Sequence, residues 1–120
     1  MVDLIDEQVE RYLAEGPDEP VVMLNLLRFK LDGGRERYFE YVEAMAPVMP
    51  KYGLDLVYAG AGDMPLAAEP GQEWDAVVLV RYPSRQAFAD MVRSPEYQAV
   101  EHLRTEGLIE AVLQPTTPIG

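Results

Sequence analysis

The fold is decided first by residues 21–29, which read Val21-Val22-Met23-Leu24-Asn25-Leu26-Leu27-Arg28-Phe29. Alternate side chains of a strand point to opposite faces of a sheet. A run that is apolar at both parities therefore predicts a strand covered on both faces. Residues 73–82 repeat the pattern, with one set of apolar side chains at even positions and another at odd positions: Trp74, Ala76, Val78 and Val80, against Val77 and Leu79.

Around these two strands, apolar stripes and the positions of Gly, Pro and Ser residues predict the remaining elements. A helical stripe covers residues 35–52, with Pro47 expected to kink or end it. Residues 54–61 read as a strand and residues 62–72 as a Gly- and Pro-rich loop. Ser84 and Ser94 are typical N-cap residues and predict two further helices. Residues 108–114 read as the last strand, and residues 115–118 as a tail, since proline does not continue a sheet interior.

The resulting order, β-α-β-β-α-β, predicts an α+β fold of the ferredoxin-like type. In this plan a four-stranded antiparallel sheet carries two helices on one face. We expect residues 1–19 to form an acidic helix and linker, residues 20–115 the ferredoxin-like domain, and residues 116–120 a tail. The first helix is predicted over residues 4–14, peripheral to the core, with Leu4, Ile5, Val9 and Leu13 on its apolar side.

Composition limits the classes of function. The 120 residues, 48% of them hydrophobic, suit one domain with a real core. There is no cysteine, which excludes disulfides and thiolate metal sites and fits a reducing, cytoplasmic compartment. No run approaches the roughly 20 apolar residues that span a bilayer, and no secretion signal opens the chain. A net charge of −11 disfavours nucleic acid as a partner.

The acidic charge is concentrated at the start of the chain. Residues 1–20 hold seven acidic residues against Arg11, so this segment carries −6 of the −11. Such a charge run usually lies on a solvated helix face. The alternative is an acidic docking surface.

The two doubly apolar strands also predict a partner. Two helices cover only one face of a four-stranded sheet, and each large apolar side chain left bare forgoes roughly 1.5–3 kcal/mol of burial. A second copy placed sheet against sheet covers the other face with one self-complementary surface. We therefore expect a homodimer.

Several segments also resemble a known family: residues 22–29, residues 38–41, Trp74-Asp75 followed by residues 80–84 (Val-Arg-Tyr-Pro-Ser), and residues 94–98 (Ser-Pro-Glu-Tyr-Gln). From about residue 20 to residue 115 the chain resembles the family known as domain of unknown function 1330. The resemblance implies the dimeric α/β-barrel superfamily, which includes cofactor-free monooxygenases, muconolactone-type isomerases, polyketide cyclases and haem-dependent enzymes. It implies a fold and does not select a reaction.

Asn25 is the most informative polar residue, because it interrupts an apolar strand. A buried amide without partners costs roughly 1–3 kcal/mol. Asn25 is therefore either a satisfied core amide or a polar group that faces a ligand pocket. Arg81, near the end of the third strand, reaches the same pocket if the two side chains share a face of the sheet, with Tyr58 and Trp74 holding the apolar part of a ligand.

The other candidate ligand-binding residues are charged. Arg28 and Arg81 each suit a carboxylate, and the alternative for both is a salt bridge with a surface acid. His102 is a possible general base, although a surface histidine is the simpler interpretation. Arg104, beside the apolar stripe of the last helix, could anchor an anion or the fourth strand. A single histidine excludes a multi-histidine metal site, and no metal is expected.

Two functions follow from these residues. The first is a small enzyme of monooxygenase or isomerase type that needs no bound cofactor and acts on a small, oxygenated, partly apolar substrate. The second is a non-catalytic dimeric module that binds such a molecule. No nucleotide-binding, P-loop or hydrolase motif is present.

Overall fold

The computed structural model describes residues 6–119 and contains the predicted order of elements after an N-terminal helix. In chain order the elements are α1 (Asp6–Ala14), β1 (Val21–Phe29), α2 (Gly34–Met45), a 3₁₀ turn (Met49–Tyr52), β2 (Asp55–Ala61), β3 (Ala76–Tyr82), α3 (Arg85–Val92), α4 (Pro95–Gly107) and β4 (Leu108–Thr116). The strands form one antiparallel sheet in the order β2-β3-β1-β4. The α+β ferredoxin-like prediction is confirmed.

The central strand β1 determines which face of the sheet the helices cover. Its odd-numbered residues are buried and its even-numbered residues are half-buried. Met23, for example, packs in a cluster with Phe88 of α3 and Tyr97 of α4. Asn25 pairs with Val78 of β3 and with Leu113 of β4. The helix-covered face is therefore odd in β1 and β4 and even in β3.

Local chemistry starts and stops the helices as predicted. The side chains of Ser84 and Ser94 accept hydrogen bonds from the amides of Ala87 and Tyr97, which caps α3 and α4. The helix α2 ends at Met45, two residues before Pro47, and the chain continues as the 3₁₀ turn. The region 35–52 is thus two pieces divided near the proline, because proline has no amide to donate.

Two predictions about strand ends are wrong. The strand β3 begins at Ala76, so Trp74 lies in the preceding loop. The strand β4 runs through Pro115 to Thr116, and Pro115 pairs with Met23. Proline is tolerated there because β4 is an edge strand, in which one side of the backbone needs no partner. Thr116, assigned to the tail, donates its hydroxyl to the carbonyl oxygen of Val22 at 2.7 Å.

The helix α1 is more than a peripheral appendage. Val9 is 3% exposed and belongs to the core cluster that contains Met23 and Phe88. Arg93, directly after α3, pairs with Asp6 and Glu10 of α1 at 2.8 and 2.6 Å and so fastens the exposed side of α1. Leu4 and Ile5, predicted on its apolar side, lie outside the described residues.

No helix within residues 6–119 is both long enough and apolar enough to cross a bilayer.

Candidate functional site

Two neighbouring cavities, called here the polar lobe and the apolar lobe, lie between the sheet and the helices on either side of Asn25. The polar lobe, of about 40 Å³, lies towards α3 and α4. The apolar lobe, of about 110 Å³, lies towards α2 and β2. Asn25, Tyr41 and Tyr82 line both lobes, so these three side chains mark the centre of the site. The other walls of the apolar lobe are mostly aliphatic or thioether side chains, among them Val42, Met45, Met49, Leu54, Leu56, Val78 and Val80.

Asn25 enters the site because its strand parity points it at the helices. The residue is 8% exposed. Its Nδ2 donates to the carbonyl oxygens of Val78 and Met23 at 3.4 and 3.5 Å, longer than the usual range of about 2.7–3.2 Å. None of the residues 6–119 donates a hydrogen bond to its Oδ1. The amide is therefore weakly held by the protein and has an acceptor free beside the cavity.

Four tyrosines surround this amide. The ring of Tyr41 lies 5.5 Å from that of Tyr38 and 6.4 Å from that of Tyr97. Burial raises the pKa of the Tyr38, Tyr41 and Tyr82 hydroxyls. In all three groups, proximity to Tyr97 raises the pKa further and the charge of Arg104 lowers it. These hydroxyls stay neutral at physiological pH and can donate hydrogen bonds to a ligand.

Arg104 brings the positive charge of the site. It is half-buried on α4, lines the polar lobe, and lies close enough to Tyr38, Tyr41 and Tyr82 to act on their pKa values. No carboxylate of the described chain lies within 4.0 Å of its guanidinium. Of the four half-buried arginines in the described chain, Arg28 and Arg37 pair with carboxylates and Arg85 donates to the carbonyl oxygen of Tyr12, whereas Arg104 does neither. Asn25 and Arg104 are the two predicted ligand-binding residues that the structure brings together.

Arg28 and Trp74 lie elsewhere. Arg28 donates to Oε1 of Glu110 at 2.6 Å and to the carbonyl oxygens of Gly71 and Glu73 at 2.9 and 2.6 Å. Its guanidinium carbon lies 4.9 Å from the centre of the Trp74 ring. The salt-bridge alternative for Arg28 is therefore confirmed. Arg28 and Trp74 together fasten the loop before β3 and do not line the cavity around Asn25.

Arg81 and Tyr58 point to the face of the sheet that the helices leave open. Arg81 pairs with Val22, on the even parity of β1, so Arg81 and Asn25 do not share a face of the sheet and the condition for their meeting is not met. Tyr58 pairs with Leu79, whereas Leu56 pairs with Val80, because the register of β2 shifts between Leu56 and Tyr58. This irregularity turns Tyr58 away from the cavity, since residues two apart in a regular strand share a face.

His102 is exposed on α4 and does not line the cavity around Asn25. The lining residues missed in the sequence include Tyr82 and Glu101. Tyr82 has the parity of Val78 and Val80 and could have been found once the parity of one β3 residue was fixed. Glu101 gave no signal, because it is one of many acids on an amphipathic helix. Among the described residues no group of three or more His, Cys, Asp or Glu side chains could hold a metal ion.

Comparisons with known proteins agree with this architecture. The family model described as Domain of unknown function (DUF1330) matches residues 33–113, a span that begins after β1. A protein of unknown function from Rhodopseudomonas palustris is similar over 99% of this chain and 97% of its own, with 27% identity and a TM-score of 0.87. No protein among the curated ones matches.

Two more distant structures share the fold. One is a dimeric ferredoxin-like protein of unknown function from Jannaschia sp. CCS1, at 12% identity and a TM-score of 0.65 over 82% of this chain and 99% of that one. The other is a putative antibiotic biosynthesis monooxygenase from Bacteroides thetaiotaomicron, at 16% identity and a TM-score of 0.60 over 84% of this chain and 90% of that one. At these identities the likeness concerns the fold alone.

Proposed function

The chain belongs to the domain of unknown function 1330 family, a membership that names no reaction, and we propose that it acts as a homodimer that binds a small, partly apolar molecule with an anionic, oxygenated head. The observation that carries this proposal is Arg104, half-buried beside the cavity without an acidic partner among the described residues. A cation in this position is best satisfied by an anion that enters from solvent.

The rest of the cavity suits the remaining parts of such a molecule. The neutral hydroxyl of Tyr82 and the amide of Asn25 face the same lobe as Arg104 and supply hydrogen bonds to head-group oxygens. The apolar lobe beyond them takes an alkyl or small aromatic group. A cavity of about 150 Å³ is known to take up benzene, so the apolar lobe of about 110 Å³ accommodates a branched group of four or five carbons.

The test is a titration with isovalerate, in which binding is monitored by NMR chemical shifts and by thermal shift. Isovaleramide, which has the same shape and no charge, is the matched ligand control. Charged hydrogen bonds contribute about 1.5–3 kcal/mol, so Arg104→Gln should weaken isovalerate binding by about 10- to 100-fold. Arg35→Gln is the matched protein control, since Arg35 is an exposed arginine that lies over the rings of Phe29 and Phe39. Equal binding of isovalerate and isovaleramide, or equal loss in both variants, would contradict the proposal.

The homodimer is supported by the open face of the sheet. The side chains on that face are largely aliphatic in the middle of the sheet: Val22, Leu24, Leu26, Val77, Leu79 and Val112. All six are only half-buried in the single chain. A contiguous apolar surface of this kind marks an interaction site, and the similar protein from Jannaschia is described as dimeric.

Catalysis is the second candidate, and Glu101 is the observation that favours it. Its carboxylate lines the same lobe as Arg104 and Asn25. In an isomerisation, Glu101 would take a proton from the carbon beside a ketone, and the electron pair would move to the ketone oxygen. Arg104 and Tyr82 would stabilise that oxyanion. If the ketone carries a β,γ double bond, Glu101 would return the proton at the γ carbon, which moves the double bond into conjugation with the ketone. This step needs positioning and one base, without a cofactor.

Exchange of the hydrogens of 4-oxopentanoate in D₂O separates catalysis from binding. An enzyme should accelerate the exchange, and Glu101→Gln should abolish the acceleration while 4-oxopentanoate still binds. Binding without any accelerated exchange in the wild-type protein would favour the non-catalytic module.

A further inference from the structure

A larger cavity lies under α1, next to the proposed site. Its volume is about 350 Å³. Val9 and Tyr12 of α1 form one side, and Met23, Leu113 and Pro115 on the helix-covered face of the sheet form the other. This space exists because α1 lies over the end of the sheet near β4, outside the two-helix layer of the ferredoxin-like plan.

Phe88 and Leu113 connect this cavity to the proposed site. Both line the cavity under α1, and both also line the polar lobe that holds Asn25 and Arg104. These two side chains therefore stand between the two spaces. Phe88 is 3% exposed and fixed in the core, whereas Leu113 is 36% exposed on an edge strand. Because Leu113 is the less enclosed of the two, a change of its rotamer is the movement that would join the cavity to the lobe.

Tyr12 is one of the residues that line the space under α1. Its hydroxyl is buried and makes no hydrogen bond with the described residues. The guanidinium of Arg85 lies 4.1 Å from the centre of its ring, on the side of the helix that packs against α3. The hydroxyl has almost no accessible surface, so it lies out of reach of a ligand in this cavity.

We infer that the ligand of this protein is a chain-type carboxylate, whose head lies beside Arg104 and Asn25 and whose apolar chain passes Leu113 into the cavity under α1. The inference rests on the proposed function for the carboxylate head. A chain too long for the apolar lobe extends instead into this larger cavity, which sets the size and shape of the ligand. Since about 150 Å³ holds the six carbons of benzene, the cavity of about 350 Å³, partly open to solvent, takes a chain of about eight carbons. On this view α1 is the cover of the chain site.

The test compares linear carboxylates from butanoate to octanoate with the full-length protein. Each buried methylene contributes roughly 0.8 kcal/mol, so the affinity should rise about fourfold per added carbon. Leu113→Trp fills the passage and should abolish this gain with chain length. Leu113→Ala should keep the gain. Ile109→Trp is the control, since Ile109 is on the same strand at 42% exposure and lines none of these spaces. Octanoate, and not butanoate, should slow amide hydrogen exchange in α1.

The outcomes separate the inference from the proposal beneath it. If butanoate and octanoate bind equally and Arg104→Gln weakens both, the carboxylate site beside Arg104 is supported and the proposed chain site under α1 is wrong. If Leu113→Trp keeps the full gain with chain length, octanoate binds elsewhere and the inference is overturned. If no carboxylate binds the wild-type protein, the proposed function fails and the inference fails with it.

Discussion

Replacing Asn25 by leucine should stabilise the protein while impairing its site. The amide is 8% exposed, and its two hydrogen bonds, at 3.4 and 3.5 Å, are too long to contribute the usual 0.5–1.5 kcal/mol each. Its Oδ1 accepts nothing from the described residues and keeps accessible surface beside the cavity, so its removal costs little free energy. Leucine has nearly the same shape and buries more apolar surface, worth about 1 kcal/mol or more. The lobes on either side of residue 25 limit overpacking, which otherwise costs about 1–3 kcal/mol.

The expected net effect of Asn25→Leu is a gain of about 1 kcal/mol in the free energy of unfolding, combined with isovalerate binding weakened by about tenfold. Urea unfolding measures the first quantity, provided that the m-value is unchanged. Ser94→Ala is the matched control, because Ser94 is the other buried polar residue of the described chain, at 4% exposure. Its Oγ donates to the oxygen of Met91 at 2.7 Å and accepts from the amide of Tyr97 at 3.1 Å. Loss of such a cap costs about 0.5–2 kcal/mol.

The reasoning is refuted if Asn25→Leu lowers the free energy of unfolding by 2 kcal/mol or more, on the order of the cost of losing a well-made buried hydrogen bond. That result would show that the amide is held by the protein for structural reasons. The opposite signs expected for Asn25→Leu and Ser94→Ala make the test independent of any ligand.

Three further predictions concern the interface, the tyrosines and α1. Leu79→Asp should produce monomers in light scattering, because burying a carboxylate in a dry interface is costly. Leu31→Asp, at a fully exposed loop position, should leave the dimer intact. A wild-type monomer at micromolar concentration would contradict the homodimer. Burial raises the pKa of Tyr82 in the folded state. The contribution of the neutral hydroxyl to the free energy of unfolding is therefore complete below the unfolded pKa near 10 and is lost as the pH rises above that value. Tyr82→Phe should reduce the alkaline fall in the free energy of unfolding by about 1.4 kcal/mol per pH unit, and an unchanged slope would argue against this cause. Val9→Ala should lower the free energy of unfolding by about 2 kcal/mol through two lost methyl groups and a small cavity. Gln8→Ala, at an exposed position, should lower it by less than about 0.5 kcal/mol. Equal effects of the two variants in urea unfolding would show that α1 is peripheral to the core.

The sequence by itself determined the order of the elements and the ends of most of them. Helix caps and breaks depend on short-range chemistry, and Ser84, Ser94 and Pro47 act through groups within four residues of themselves. The apolar run of β1 likewise identified a central strand, because burial on both faces leaves no other placement. Asn25 was recognisable as a site candidate for the same reason, as the one amide in that run.

Only the tertiary structure decided which side chains meet. Period-two patterning divides a strand into two faces, but it does not say which face the helices cover, so Asn25 and Arg81 could be placed together or apart. The irregularity between Leu56 and Tyr58 leaves no mark in the pattern, yet it reverses the face of Tyr58. The importance of Arg104 depends on an absence within the described chain, a carboxylate within reach, and such an absence exists only once distant segments have packed in three dimensions.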